Sequence, residues 1–210
     1  MDVKQTDDSS FPIQPPERRR TVREFLGALE LFHLAAKWPS LTRKYKGNGE
    51  PVLVLPGYMT GDGSTAVLRR FLRKLGYEPH PWSLGRNHGN VGNLLPKVLE
   101  RVQQVHAESE APLRMIGWSL GGYIAREAAR ERPDLIQHVL TLGSPVVGGP
   151  KYTLAAEHYR KQGFDLDAME AKVAEREKNP IQVPITAIYS QNDGVVSWRA
   201  CIDKFSERVE

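Results

Sequence analysis

Gly117-Trp118-Ser119-Leu120-Gly121 is the stretch on which the reading of this chain turns. Ahead of it, residues 112–117 (PLRMIG) read as a short buried strand, and residues 122–132 (GYIAREAARER) read as a helix that Pro133 stops. A serine on a sharp strand-to-helix turn has its hydroxyl pushed out where a small molecule can reach it. Gly117 and Gly121 fit there because a Cβ at either position would meet the neighbouring strand or helix. The helix aims its first amides at the turn, which suits a developing negative oxygen. The five residues alone are a weak signal. Strand, serine and helix in that order are a strong one.

Outward from this turn the chain alternates. Upstream come a strand at 51–56 (PVLVLP), a helix at 64–75, a strand at 77–82 and a helix at 91–108. Downstream come a strand at 136–142 (IQHVLTL), a polar segment of helical character at 150–180, and an apolar strand at 184–189 (PITAIY). Short apolar strands separated by helices predict an α/β domain, a mostly parallel sheet covered on both faces. Residues 1–20, polar and proline-bearing, are predicted to be a disordered tail, and residues 21–210 a single domain. Thr21 opens an amphipathic helix that runs to Pro39, and its apolar stripe is expected to pack on the domain. With Arg18, Arg19, Arg20 and Arg23 nearby, the alternative is peripheral contact with an anionic membrane.

Composition bounds the function classes. A chain of 210 residues can bury roughly 70% of its unfolded surface, enough for one sizeable core. The net charge of +4 comes from interleaved charges of both signs, so no nucleic-acid footprint stands out. The single cysteine, Cys201, leaves no internal disulfide and no multi-cysteine metal site, and no metal or organic cofactor is expected. The first ten residues, MDVKQTDDSS, lack the apolar core of a secretory signal, and the cytoplasm is the expected compartment.

A nucleophilic serine needs an oxyanion hole, an acid and a base. One donor is expected to be the N–H of Leu120, and the second the N–H of Tyr58, in Leu55-Pro56-Gly57-Tyr58 after the first strand. Gly61, Gly63 and Ser64 resemble a phosphate loop only loosely, and no Gly-Lys-Ser/Thr follows. The expected acid is Asp193, in Asn192-Asp193-Gly194 just past the strand 184–189; an Asn-Asp-Gly turn without chemistry is the bland alternative. The base is where the pattern breaks. The six histidines, His33, His80, His88, His106, His138 and His158, all precede Asp193, whereas the expected order is serine, acid, histidine. His33 and His138 fall in apolar patterns, His80 in a strand, His106 on a helix and His158 in the polar segment. His88, after a strand end, is the weakly supported substitute base.

On Leu55-Pro56-Gly57-Tyr58, Gly85-Arg86-Asn87, Gly117 to Gly122, Leu142-Gly143-Ser144-Pro145 and the stretch 189–198 (YSQNDGVVSW), the chain resembles the α/β-hydrolase superfamily. Within it, the likeness is to bacterial lipase or esterase-like proteins related to lecithin–cholesterol acyltransferases. The resemblance implies an α/β-hydrolase fold with Ser119 as nucleophile, Asp193 as acid, and Tyr58 and Leu120 as oxyanion donors. It implies a serine hydrolase acting on small-molecule or lipid carboxylic esters. It also implies that residues 146–183 form a helical cap insertion over the serine, with an apolar lining suited to an acyl chain. Such proteins continue past the acid loop into a further strand and a histidine-bearing loop, so the C-terminal strand and the histidine loop are expected to be missing here. Two other readings share the same residues: a non-catalytic fragment or binding protein of this fold, and an acyltransferase that passes the acyl group to an alcohol.

Overall fold

The computed structural model describes residues 13–14 and 46–210. The predicted helix after Thr21 and the predicted tail, Ile13 and Gln14 aside, lie outside the described residues. Among the described residues the sheet has six strands: β1 (Pro51–Leu55), β2 (Glu78–Pro81), β3 (Leu113–Trp118), β4 (Ile136–Leu142), β5 (Ile185–Ile188) and β6 (Glu207–Val209). Their order is β2-β1-β3-β4-β5-β6, and every pairing is parallel. Helices α1 (Ala66–Lys74), α2 (Val91–Ser109) and α3 (Leu120–Glu131) fill the crossovers, and α4 (Ala156–Lys161) and α5 (Leu166–Arg176) stand between β4 and β5.

The alternation of side chains along β1 shows why both faces of the sheet are covered. Leu53 and Leu55 join the main core with Val98, Val102 and Val105 of α2 and Ile124, Ala125 and Ala128 of α3. Val52 and Val54 point the other way, onto Leu68 and Leu72 of α1. Helix α2 begins where the Asn90 side chain accepts the Asn93 amide hydrogen, and its inward stripe then repeats at helical spacing. The predicted start of α3 at residue 122 is two residues late. The helix begins at Leu120, and the poor helix formers Gly121 and Gly122 conceal that start in the sequence.

One expectation is corrected here. The C-terminal strand is present, as β6, and it pairs with β5 over Thr186, Ala187 and Ile188. Asp203 builds the approach to it, because its Oδ1 accepts the amides of Phe205 and Ser206 and its Oδ2 accepts the Ser206 hydroxyl. The Arg126 guanidinium of α3 pairs with the same carboxylate in the interior and so ties the last strand to the central helix. None of the described helices is long and apolar enough to cross a membrane.

Strand order reverses between β1 and β3, since the chain leaves β1 for β2 on one side and returns to β3 on the other. Open parallel sheets place ligands in the crevice at such a point, beyond the carboxyl ends of the strands. The loops after β1, β3, β4 and β5 therefore meet at one place.

Candidate active site

Ser119 joins β3 to α3 with φ 51° and ψ −122°, a conformation that a non-glycine residue adopts only when its surroundings hold it there. What holds it is the fit of the turn. The Ser119 amide donates to Leu142 O of β4 at 2.8 Å, and the Gly122 amide donates to Ser119 O at 2.9 Å. A Cβ on Gly121 would stand 2.6 Å from the carbonyl oxygens of both Leu55 and Pro56, and one on Gly117 would strike the backbone of Gly121 and Gly122. These glycines let helix, strand and loop close around the serine.

The loop after β1 lies against this turn. A Cβ on Gly57 would be 3.5 Å from both Ser119 Cβ and Trp118 O. The next two residues are Tyr58 and Met59, and Met59 also has a positive φ, of 57°. Among the described residues neither the Tyr58 amide nor the Leu120 amide donates a hydrogen bond. Leu120 is the first residue of α3, where an amide has no partner within the helix. The two candidate donors are thus unpaired amides on either side of the serine, each adjacent to a strained residue.

Asp193 follows β5. Its Oδ1 accepts the amides of Val195 and Val196 at 2.8 and 2.9 Å, which fixes the carboxylate in its turn. Its Oδ2 faces Gly143, at the end of β4, where an added Cβ would lie 3.0 Å away. The buried Cys201 thiol nearby is pushed up to about 12, by burial first and then by the Asp193 charge, so it stays a neutral thiol.

Ser119, Tyr58, Leu120 and Asp193 line one cavity of about 1210 Å³. Tyr159 and Phe164, around α4, and Met169 and Val173 of α5 form its roof, and Leu95, Trp118 and Tyr123 also line it. The Tyr58 ring lies 5.0 Å from that of Tyr159, and Tyr159 meets Phe164 edge-on at 5.5 Å. Burial raises the Tyr159 and Tyr123 hydroxyls well above the usual tyrosine value, with Tyr58 adding to the first and Glu127 to the second. Both rings stay neutral. Leu154 is exposed, and Asp165, also exposed, caps α5 by accepting the amides of Asp167 and Ala168.

At the far end of the cavity the wall turns ionic. Glu127 of α3 pairs with Arg176 of α5, Arg176 also reaches Glu131, and Glu177 receives both Arg126 and Arg130. These pairs fasten the second helix of the insertion to the helix that carries the serine.

Among the described residues, no histidine lines the cavity. His88 is exposed: the chain turns Asn87 and Gly89 inward and leaves the ring between them pointing out. The substitute base proposed from its strand-end position is therefore not in the cleft. His158 is exposed on α4, with its ring 5.8 Å from that of Tyr58 and its Nε2 on the Gln162 side chain. His138 is half buried against Thr186 Oγ1, and burial with Arg114 nearby lowers its pKa; His106 Nδ1 meets Ala111 O. His80 sits on β2 beside Glu78 and Glu108, and His33 lies outside the described residues.

A parallel sheet with a strained serine between its third strand and the following helix, and an aspartate beyond a later strand, is the α/β-hydrolase fold. Comparison with known proteins agrees. No family model matches the chain. By sequence it is 23% identical over 215 aligned residues to a mitochondrial palmitoyl-protein thioesterase, ABHD10, of Mus musculus, covering 87% of this chain and 69% of that protein. By structure it resembles a monoacylglycerol lipase of Paleococcus ferrophilus, with TM-score 0.53 and 14% identity over 79% of this chain and 85% of that one. It also resembles an alpha/beta superfamily hydrolase of Oenococcus oeni, with TM-score 0.51 and 16% identity over 78% and 83%. The resemblance to the α/β-hydrolase superfamily holds in sequence relatives and in fold. The three proteins named are a thioesterase, a lipase and a hydrolase, and they do not bear on the narrower likeness to lecithin–cholesterol acyltransferases.

Proposed function

We propose that the chain is a serine hydrolase of carboxylic esters or thioesters bearing an apolar acyl group, with Ser119 as nucleophile and Asp193 as the acid. The observation that carries this is the pair of unpaired amides, Tyr58 and Leu120, flanking a serine held at positive φ. Ser119 Oγ attacks the acyl carbon, and the carbonyl electrons move onto oxygen, where the two amides stabilise the charge. Collapse of that intermediate expels the alcohol or thiol and leaves an acyl-serine, which water cleaves to the free acid. The aromatic and aliphatic roof favours an acyl chain over a sugar or a phosphate. The thioesterase and lipase named above act on substrates of that kind by their descriptions. In this proposal residues 146–183 serve as the cap.

The proton from Ser119 needs an acceptor, and the cavity holds no histidine among the described residues. That observation favours a second reading, a hydrolase-fold binding protein with a cleft but little turnover. A fluorophosphonate probe separates the two. Rapid labelling that maps to Ser119, with turnover of a p-nitrophenyl ester that Ser119→Ala abolishes, is the enzyme's result. Absence of both is the binding protein's. Acyl transfer would use the same residues and differs only in an alcohol replacing water in the second step.

A further inference from the structure

We propose that Asn87 is a positioning residue that sets the Tyr58 amide of the oxyanion loop; the inference rests on the reading of Ser119 as the nucleophile. Asn87 is fully buried, a costly place for an amide unless every polar group has a partner. Its partners are all backbone, and they bracket Tyr58. The side-chain Nδ2 donates to Pro56 O at 3.0 Å, on the strand side of Gly57 and Tyr58. The main-chain carbonyl accepts the Met59 amide at 2.7 Å, and the main-chain amide donates to Thr60 O at 2.8 Å, on the other side. The side-chain Oδ1 accepts the Gly89 amide at 3.1 Å, which fixes the side chain's own orientation.

The clamp acts on a strained segment. Met59 sits at φ 57°, a conformation that persists only when its surroundings over-determine it, and its amide is held by Asn87. The Thr60 hydroxyl adds a bond to Gly57 O at 2.8 Å, closing the loop on itself. A second tie runs in parallel: the Asp62 carboxylate accepts the amides of Trp82 and Ser83 at 3.1 and 3.2 Å. The loop after β1 is thus fastened along its length to the loop after β2, with Asn87 at the end nearest the serine. Tyr58 is the one residue between the bracketed carbonyl of Pro56 and the held amide of Met59, apart from Gly57. Losing the Nδ2 bond leaves that stretch free to turn, and the Tyr58 N–H no longer stays aimed where an oxyanion forms.

The test uses two probes on the full chain. Phenylboronic acid adds to a serine hydroxyl as a tetrahedral anion and reads the oxyanion hole; 1-decanol reads the apolar cavity without needing it. Asn87→Asp, which keeps the shape and replaces the donor with an acceptor, is expected to weaken boronate binding at least tenfold. Decanol affinity is expected to change less than twofold. Equal weakening of both probes would show a residue that merely holds the fold, and no change in boronate affinity would show that the clamp is idle. Either result overturns the proposal. Should Asn87→Asp not fold, Asn87→Ser, shorter and uncharged, decides by the same criterion. Boronate binding absent from the parent chain, or unchanged in Ser119→Ala, would instead remove the nucleophile reading, and the role of Asn87 with it.

Discussion

Two residues show how the interior is made to hold unfavourable states. Ser119 is kept at positive φ by the packing of three backbone segments, and the strain of such a conformation is of order 1–3 kcal/mol. Glycine tolerates it without a Cβ penalty. Ser119→Gly is therefore expected to abolish fluorophosphonate labelling and ester turnover while leaving the melting temperature unchanged or raised by a few degrees. Ser119→Ala removes only the hydroxyl and should abolish both activities at nearly constant melting temperature. Asp203 is the second case. Burial alone would raise its carboxyl, but the Arg126 guanidinium and the Phe205 and Ser206 donors outweigh it and bring the pKa below the ordinary carboxylate value. A carboxyl that titrates lower when folded contributes its full stabilisation above about pH 4 and loses it as pH falls through the folded value. Asp203→Asn removes the buried carboxylate partner of Arg126 and leaves that guanidinium with Glu177 alone as its counter-charge, a loss of about 1–3 kcal/mol at pH 7. Urea denaturation from pH 7 to pH 3 should show the parent losing stability on acidification and the variant, weaker throughout, losing less.

At the scale of elements, the ion pairs between α5 and α3 hold together two walls of the cavity that Ser119 lines. Glu177 is the shared partner of Arg126 and Arg130, and Arg176 spans to Glu127 and Glu131. Glu177→Gln should destabilise the insertion by about 1–3 kcal/mol through the guanidinium groups left short of a partner. The expected readout is faster proteolytic cleavage within residues 146–183. Ester preference should also shift from longer toward shorter acyl chains as the roof loosens. Unchanged cleavage and chain-length preference would show that these pairs are incidental to the insertion. Much of this layout was legible in the sequence, because the strands are short, apolar and punctuated by Gly and Pro, and β4 spans Ile136–Leu142 as its pattern predicts. Ser119 could be read for the same reason: its glycines are a local requirement. Asn87 could not, beyond its place in Gly85-Arg86-Asn87, because its partners are backbone carbonyls and amides from another loop. Nor could the pairing of Arg126 with Asp203, two charges that look solvated until the fold buries them together.

For the molecule as a whole, the serine and acid share a cavity whose described lining contains no imidazole. In a subtilisin-type site, losing the histidine alone costs on the order of 10⁶ in turnover. With no imidazole from beyond the described residues at Ser119, p-nitrophenyl ester hydrolysis is expected to be barely measurable, and free imidazole at about 10 mM or more to raise the rate in a manner that Ser119→Ala abolishes. His88→Ala, altering an exposed ring outside the cavity, should change neither rate. Strong unassisted turnover lost in His88→Ala would mean that the loop after β2 turns inward in solution. The sheet itself carries a last consequence at its β2 edge. Glu78 gives its amide inward, to Glu50 O, so the alternating positions Pro79 and Pro81 face outward, and proline has no hydrogen to donate. A stray strand arriving at that margin finds no donors at those two positions, so fibril growth and edge-to-edge self-association have little to build on there.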